Sequence, residues 1–137
     1  MTPEFRFVIP IDVRFKDIDG MGHVNNAVFA TYFEIGRTRY FQQILGARGH
    51  GDIDFILARQ EIDFLSPILL EDEVRLGLRV SEIGRTSFGF DYLLERNGEP
   101  AARGKSVQVF FDYSKRMKKP VPESFRLAAR EYEGRSG

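Results

Sequence analysis

Cysteine is absent from the 137-residue chain, which excludes disulfides, a thiolate nucleophile and a cysteine zinc site. Net charge is also absent: twenty basic and twenty acidic residues balance, so we expect no nucleic-acid partner. No apolar run approaches the roughly 20 residues that a membrane-spanning helix needs, so we expect no membrane partner. The first ten residues, MTPEFRFVIP, lack the basic start and apolar run of a signal peptide, so we expect a cytoplasmic protein.

The apolar residues that are present predict a single folded domain. They make up 42% of the chain and include thirteen phenylalanines, which predicts a Phe-rich core. A length of 137 residues suits one domain rather than two. We therefore expect residues 1–137 to form one unit, with a frayed end at 134–137.

Helical periodicity covers one long segment. Apolar residues recur at helical spacing from Asn26 to Leu45, behind Asn25 as a candidate N-cap and before Gly46 as a stop signal. Gly36 lies inside this segment, where glycine costs about 1 kcal/mol relative to alanine. We therefore expect Gly36 to allow a close approach between the helix and a strand.

Strand periodicity covers most of the remaining chain. A first strand is predicted near residues 5–15, with an edge position, kink or bulge at Pro10. Later strands are predicted over 53–64, 74–81, 88–94 and 101–113, and a short closing helix over 123–132. Short connections make these strands antiparallel neighbours. The prediction is an α+β hotdog fold, in which a curved antiparallel sheet wraps around one long central helix.

The segment from Asp17 to Asn26 is a polar, glycine-containing turn with four alternative interpretations. A phosphate-binding glycine loop would need a third glycine where Asn25 stands, followed by a parallel strand. A calcium loop beginning at Asp17 would need a bidentate carboxylate where Val28 stands. The same residues suit a purely structural turn and helix cap. The fourth alternative is an acyl-transfer site, where a carboxylate acts on a thioester and helix N–H groups stabilise the oxyanion.

The stretch FKDIDGMGHVNNAVFATYFEIGR resembles the signature of hotdog-fold acyl-CoA thioesterases of the 4-hydroxybenzoyl-CoA thioesterase-like superfamily. The segments QEIDFLSP and IGRTSF extend the resemblance over most of the chain. It implies that Asp19 is the nucleophile or general base, and that a backbone N–H near Asn26 is the oxyanion donor. His23 matches a histidine that some branches use. The chain departs from the plant acyl-carrier-protein thioesterases at Met21, where those enzymes carry Asn.

The resemblance also implies a substrate and an assembly. The substrate is an acyl-CoA or another acyl thioester, no metal or cofactor is needed, and the active site lies between subunits of a homodimer or homotetramer. Phe29, Tyr32 and Phe88 are candidates for an acyl pocket, and Arg85 is a candidate for a CoA phosphate contact. Second-rank candidates are further basic groups and two acids, namely Arg103, Lys105, the run 115–119, Glu34 and Glu61.

Two other functions compete with thioester hydrolysis. A non-catalytic acyl-thioester-binding or assembly module would keep the fold and pocket without an ionised Asp19. A hotdog-fold hydratase or dehydratase would use an Asp and a His, but at a longer spacing than that between Asp19 and His23.

Overall fold

A computed structural model describes residues 5–46 and 54–134. Its elements, in chain order, are β1 (Phe7–Ile11), a 3-10 turn (Phe15–Asp17), α1 (Asn26–Gln43), β2 (Phe55–Phe64), β3 (Val74–Ile83), β4 (Ser87–Arg96), β5 (Glu99–Asp112), β6 (Met117–Lys118) and α2 (Glu123–Glu133). The predicted loop at 47–52, the start of the second strand at residue 53 and the end at 135–137 lie outside the described residues. Neither helix in the described part of the chain is long and apolar enough to cross a membrane.

The strands form one antiparallel sheet in the order β1-β3-β4-β5-β2, with β6 paired to the end of β5. Side chains of β3, β4 and β5 alternate between a buried face and a more exposed face, as the period of two predicted. Helix α1 packs on the buried face, where Phe33 stacks on Tyr92 of β4 with ring centroids 4.2 Å apart. The predicted α+β class with an antiparallel sheet and one long helix is confirmed. The prediction that consecutive strands are neighbours is confirmed for β3, β4 and β5 but is wrong for β2 and β3, because β2 pairs with β5 instead.

Glycine allows α1 to approach the sheet closely, as predicted. A Cβ on Gly36 would lie 2.5 Å from Cδ2 of Leu76 on β3, which is closer than side-chain carbons approach one another. A Cβ on Gly104 of β5 would overlap the ring of Phe33. The helix and the sheet therefore meet closely at two glycines, Gly36 on the helix and Gly104 on the sheet, because neither has a side chain.

Of the three alternatives predicted at Pro10, the edge position is confirmed, and one predicted helix boundary needs correction. Pro10 causes no kink or bulge, because β1 pairs with β3 in unbroken register from Phe7 to Ile11. Strand β1 is at the sheet edge, so the missing N–H of proline interrupts no ladder there. Helix α1 ends at Gln43, two residues earlier than predicted, and Gly46 follows with φ 72°.

Helix α2 closes one side of the sheet through its last residues. The Glu133 carboxylate accepts a hydrogen bond from the Tyr40 hydroxyl of α1 at 2.6 Å and from the Val80 N–H of β3 at 3.0 Å. Gly134 is the left-handed C-cap with φ 73°, so the fraying predicted for 134–137 is wrong at its first residue.

Candidate active site

The polar turn forms a small closed loop between the 3-10 turn and α1. Ile18 pairs with Val24 in an isolated antiparallel bridge, and the Asp19 N–H donates to the His23 carbonyl at 2.8 Å. The Val24 N–H donates to the Ile68 carbonyl at 2.8 Å, which joins the loop to the segment after β2. These backbone bonds hold the loop in one conformation.

Asp19 lies half-buried in this loop. Its Oδ1 accepts a hydrogen bond from the Met21 N–H at 2.9 Å, an Asx turn that orients the carboxylate. Among the described residues, no other hydrogen bond to its carboxylate oxygens is found, so Oδ2 can meet a substrate or a water molecule. The side chain lines an open cleft.

Helix α1 begins beside Asp19. The Asn25 side chain accepts from the Ala27 N–H at 2.9 Å, which confirms Asn25 as the N-cap, and the Asn25 carbonyl accepts from the Val28 N–H. The Asn26 N–H has no intrahelical acceptor, because the first turn of a helix lacks preceding carbonyls. The helix start therefore offers a donor and partial positive charge at the cleft.

Asp17 is buried, although it is only two residues before Asp19. Its carboxylate accepts from the Arg14 backbone N–H at 3.0 Å, from Arg14 Nη2 at 2.8 Å and from the Tyr32 hydroxyl at 2.8 Å. Burial alone would raise the pKa of Asp17, but the hydrogen bonds from Arg14 and Tyr32 outweigh burial and hold that pKa below its usual value. Asp17 is thus an ionised, hydrogen-bonded part of the turn.

A cleft of about 290 Å³ brings four of the predicted site residues together. They are Asp19, His23, Asn26 and Phe29. The opposite wall comes from the end of β2 and the segment after it, with Phe64, Leu65, Ser66 and Pro67. The rings of Phe29 and Phe64 meet edge to face at 5.1 Å, so the wall beside Asp19 is apolar.

Sequence reasoning missed this opposite wall and Met21, which also lines the cleft. A signal was present in the chain. Phe64 and Leu65 are consecutive large apolar residues at a strand end, and successive strand side chains point to opposite faces. One of the pair had to point away from the core, and in the structure both are about half exposed, at 46% and 52%.

Tyr32 and Phe88 do not line this cleft within the single chain, and their place in an acyl pocket stays a prediction. Tyr32 is 1% exposed, with its hydroxyl bonded to Asp17. Phe88 is 1% exposed in an aromatic cluster with Phe41 and Phe125. Both rings belong to the core, Tyr32 from α1 and Phe88 from the buried face of β4.

Arg85 lies near the far end of the sheet. Phe88, three residues after Arg85, pairs with Gln108 on β5. Phe64, which lines the cleft, pairs with Ala102 on the same strand. Those six residues of β5 span about 20 Å at roughly 3.3 Å per residue. A single chain therefore does not bring Arg85 to the Asp19 cleft, and its contact with CoA stays a prediction.

The second-rank acids also lie elsewhere. Glu34 is exposed on α1, and Glu61 forms an ion pair with Arg59 on β2. No three His, Asp or Glu side chains within 5–46 and 54–134 come together as a metal site would require. Asp19 is thus the carboxylate that the structure places at the helix start.

Comparison with known proteins identifies the family of the chain. The family model of the thioesterase-like superfamily matches residues 13–128. The chain is 42% identical to a thioesterase from Thermus thermophilus crystallised with coenzyme A and zinc, with a TM-score of 0.88 over 99% of this chain and 100% of that one.

Two curated relatives are more distant. The uncharacterised protein YsmA of Bacillus subtilis is 32% identical over 106 residues, 77% of this chain and 72% of that protein. A 1,4-dihydroxy-2-naphthoyl-CoA hydrolase of Synechococcus elongatus is 27% identical over 120 residues, 81% of this chain and 85% of that enzyme.

Proposed function

The chain belongs to the thioesterase-like superfamily, and from this premise we propose that it hydrolyses an acyl-CoA to a free carboxylic acid and CoA at the Asp19 cleft. The predicted class of thioester hydrolase is confirmed by the family. The observation that supports the proposed mechanism is that Asp19 and Asn26, the first residue of α1, line one cleft with an apolar wall. CoA is part of the substrate, so the reaction needs no further cofactor.

Asp19 acts on the thioester carbonyl in one of two ways. As a general base, its free oxygen takes a proton from water, and the resulting hydroxide attacks the carbonyl carbon. As a nucleophile, the same oxygen attacks directly and forms an acyl-aspartyl anhydride, which water then hydrolyses. In both routes the C–S bond breaks, the acid leaves as a carboxylate, and the CoA thiolate takes up a proton.

The Asn26 N–H stabilises the oxyanion that develops in either route. The carbonyl oxygen becomes negative in the tetrahedral intermediate, and the N-terminus of α1 presents an unpaired donor with partial positive charge there. Loss of one such donor costs about 100-fold to 1,000-fold in kcat in other hydrolases.

His23 lines the same cleft, and its backbone carbonyl accepts a hydrogen bond from the Asp19 N–H. We assign its ring to contact with substrate or leaving group.

We further propose that the enzyme is a homodimer or homotetramer in which a second subunit completes the cleft. Strand β2 is an edge of the sheet, and it carries Ile56, Leu57 and Phe64 at 41–46% exposure. An exposed apolar edge strand is a surface that pairs with another chain. A partner on β2 would close the cleft beside Phe64 and bring its own residues to the substrate.

Within each subunit we infer that the sheet wraps around α1, as the sequence predicted. We also infer that the enzyme works in the cytoplasm.

The test is thiol release from a panel of acetyl-, hexanoyl-, palmitoyl-, benzoyl- and 4-hydroxybenzoyl-CoA. The wild-type protein should hydrolyse at least one of them, and Asp19→Asn should lose roughly 100-fold or more in kcat. Asp12→Asn is the matched control, because it makes the same change at an exposed acid outside the cleft. Equal rates for Asp19→Asn and the wild type would remove Asp19 from the mechanism. Binding of acyl-CoA without thiol release would favour the acyl-thioester-binding module instead.

The assembly has a separate test. Light scattering should give at least a dimer for the wild type, and Leu57→Lys should shift it towards the monomer with loss of activity. A fully active monomer would contradict the shared cleft.

A further inference from the structure

The Tyr32 hydroxyl connects the interior of α1 to the active-site loop. Tyr32 is six residues after Asn26, about 9 Å along the helix axis at 1.5 Å per residue. It lies in the core at 1% exposure and donates to Asp17 Oδ2 at 2.8 Å. Burial and the neighbouring Asp17 carboxylate raise the pKa of Tyr32, so the hydroxyl keeps its proton and remains a donor.

Asp17 makes a second connection to the helix through its backbone. Its carbonyl accepts from the Asn25 N–H at 2.9 Å, immediately before the proposed oxyanion donor at Asn26. Asp17 is therefore held by α1 at two points, its N-cap and its second turn. Ile18 alone separates Asp17 from Asp19, so displacement of Asp17 displaces the catalytic carboxylate.

Arg14 holds the other side of Asp17. Its guanidinium and its backbone N–H both donate to the carboxylate, which keeps the buried charge compensated. The Arg14 side chain is 53% exposed and is not among the described residues that line the cleft. Tyr32 and Arg14 thus hold Asp17, the residue that anchors the active-site loop, from two sides. None of the three residues lines the cleft among the described residues.

We propose that Tyr32, Asp17 and Arg14 are positioning residues that set the distance between the Asp19 carboxylate and the Asn26 N–H. The inference rests on the proposed function, since it assigns these residues a role in the same reaction. The two catalytic groups come from different elements, a loop and a helix start, and must meet one carbonyl group together. A misplacement of about 1 Å can cost roughly 100-fold in rate. The buried Tyr32–Asp17 bond ties those two elements together through side chains, beside the backbone bond from the Asn25 N–H to the Asp17 carbonyl.

The alternative is that the Tyr32 hydroxyl only stabilises the fold. Helix α1 contains a second buried tyrosine, Tyr40, that serves as a comparison for such a role. Tyr40 lies on the same helix, is fully buried, and donates its hydroxyl to the Glu133 carboxylate at 2.6 Å. That bond joins α1 to α2 and does not touch the loop. Tyr32→Phe and Tyr40→Phe therefore remove the same chemical group from two buried rings of the same helix, and only Tyr32→Phe removes a hydrogen bond to Asp17.

The experiment measures kcat, KM and Tm for both variants with the acyl-CoA from the panel that the wild type hydrolyses fastest. Both should lower Tm, since each loses one hydrogen bond to a carboxylate, which is buried for Tyr32 and partly buried for Tyr40. Tyr32→Phe should lower kcat by about 10-fold or more with KM changed by less than about threefold, because misplacement affects the reacting groups rather than the cleft. Tyr40→Phe should keep kcat within about twofold of the wild type. Asp17→Asn should lower kcat at least as far as Tyr32→Phe, and the double variant should be no worse than Asp17→Asn alone.

Equal kcat for Tyr32→Phe and Tyr40→Phe, with both variants folded at the assay temperature, would overturn the inference. The Asp19→Asn variant separates this outcome from failure of the proposed function. If Asp19→Asn is inactive while Tyr32→Phe is fully active, the positioning role is wrong and the catalytic assignment stands. If Asp19→Asn is fully active, or if no acyl-CoA is hydrolysed, the catalytic assignment and the positioning role are both wrong.

Discussion

Gly104 is a position where an added methyl group would meet obstacles on two sides. A Cβ there would overlap the ring edge of Phe33 and lie 2.9 Å from the Glu61 backbone oxygen. The Phe33 ring is fully buried and lies parallel to Tyr92 at 4.2 Å, so it has no free volume into which to rotate. Glu61 is on β2 in regular pairing with β5, so its carbonyl cannot retreat without disturbing the ladder.

Gly104→Ala should therefore destabilise the protein. Overpacking of a dense core costs about 1–3 kcal/mol, and two rigid neighbours place this substitution at the upper end of that range. Alanine restricts the unfolded chain more than glycine does, which offsets about 0.5–1 kcal/mol. The expected net loss is about 2 kcal/mol, which for a chain of this length lowers Tm by roughly 6–8 °C.

Thermal and urea unfolding followed by far-UV circular dichroism would measure this loss at a fixed protein concentration. Gly20→Ala is the control, because a Cβ on Gly20 meets no atom within 4 Å in the described part of the chain. That control should stay within about 0.5 kcal/mol of the wild type. An unchanged or higher Tm for Gly104→Ala would refute the argument that Phe33 and Glu61 fill the space above this glycine.

Three further predictions concern the loop and the cleft. Asp17 has a lowered folded-state pKa, so its stabilisation is fully present above the unfolded pKa of about 4 and is lost as pH falls through the folded value. The Tm gap between wild type and Asp17→Asn should therefore be widest near neutral pH and shrink below about pH 4, and a gap independent of pH would contradict an ionised Asp17. Asn25→Ala should cost about 1 kcal/mol in urea unfolding through loss of the N-cap, and an unchanged midpoint would show that the cap contributes nothing. Phe64→Ala should raise KM for the preferred acyl-CoA more than it lowers kcat, whereas a loss confined to kcat would place Phe64 outside the acyl wall.

Local features of the fold were predictable because they depend on residues a few positions apart. The cap at Asn25 needs only its own side chain and the N–H of Ala27, and the strand at Val74–Ile83 follows from its alternation. The common cleft of Asp19 and Asn26 was also within reach of the sequence, since one short loop joins them, whereas their catalytic roles were implied by the family resemblance and stay predictions. Gly36 signalled a close approach through its cost in a helix, and the structure places Leu76 there.

The sequence alone could not divide the aromatic residues between core and cleft. Phe29 and Tyr32 are one turn apart on the same apolar band of α1, and both are almost fully buried. The difference arises from distant chain segments: Phe64, at the end of β2, comes beside Phe29, whereas Asp17 takes the hydroxyl of Tyr32. No local pattern carries that information, because it depends on where the edge strand ends relative to the helix.

The sequence by itself therefore determined most elements, the antiparallel pairing of β3 with β4 and of β4 with β5, and the loop that carries Asp19. Only the tertiary structure decided that β2 pairs with β5 and β1 with β3. Tertiary structure decided which residues complete the cleft and what holds the loop in place. The cleft wall from Phe64 to Pro67 and the buried group around Asp17 join residues that lie far apart in the chain. Burial and hydrogen bonding between such residues exist only once the helix lies on the sheet, so they appear only in the folded protein.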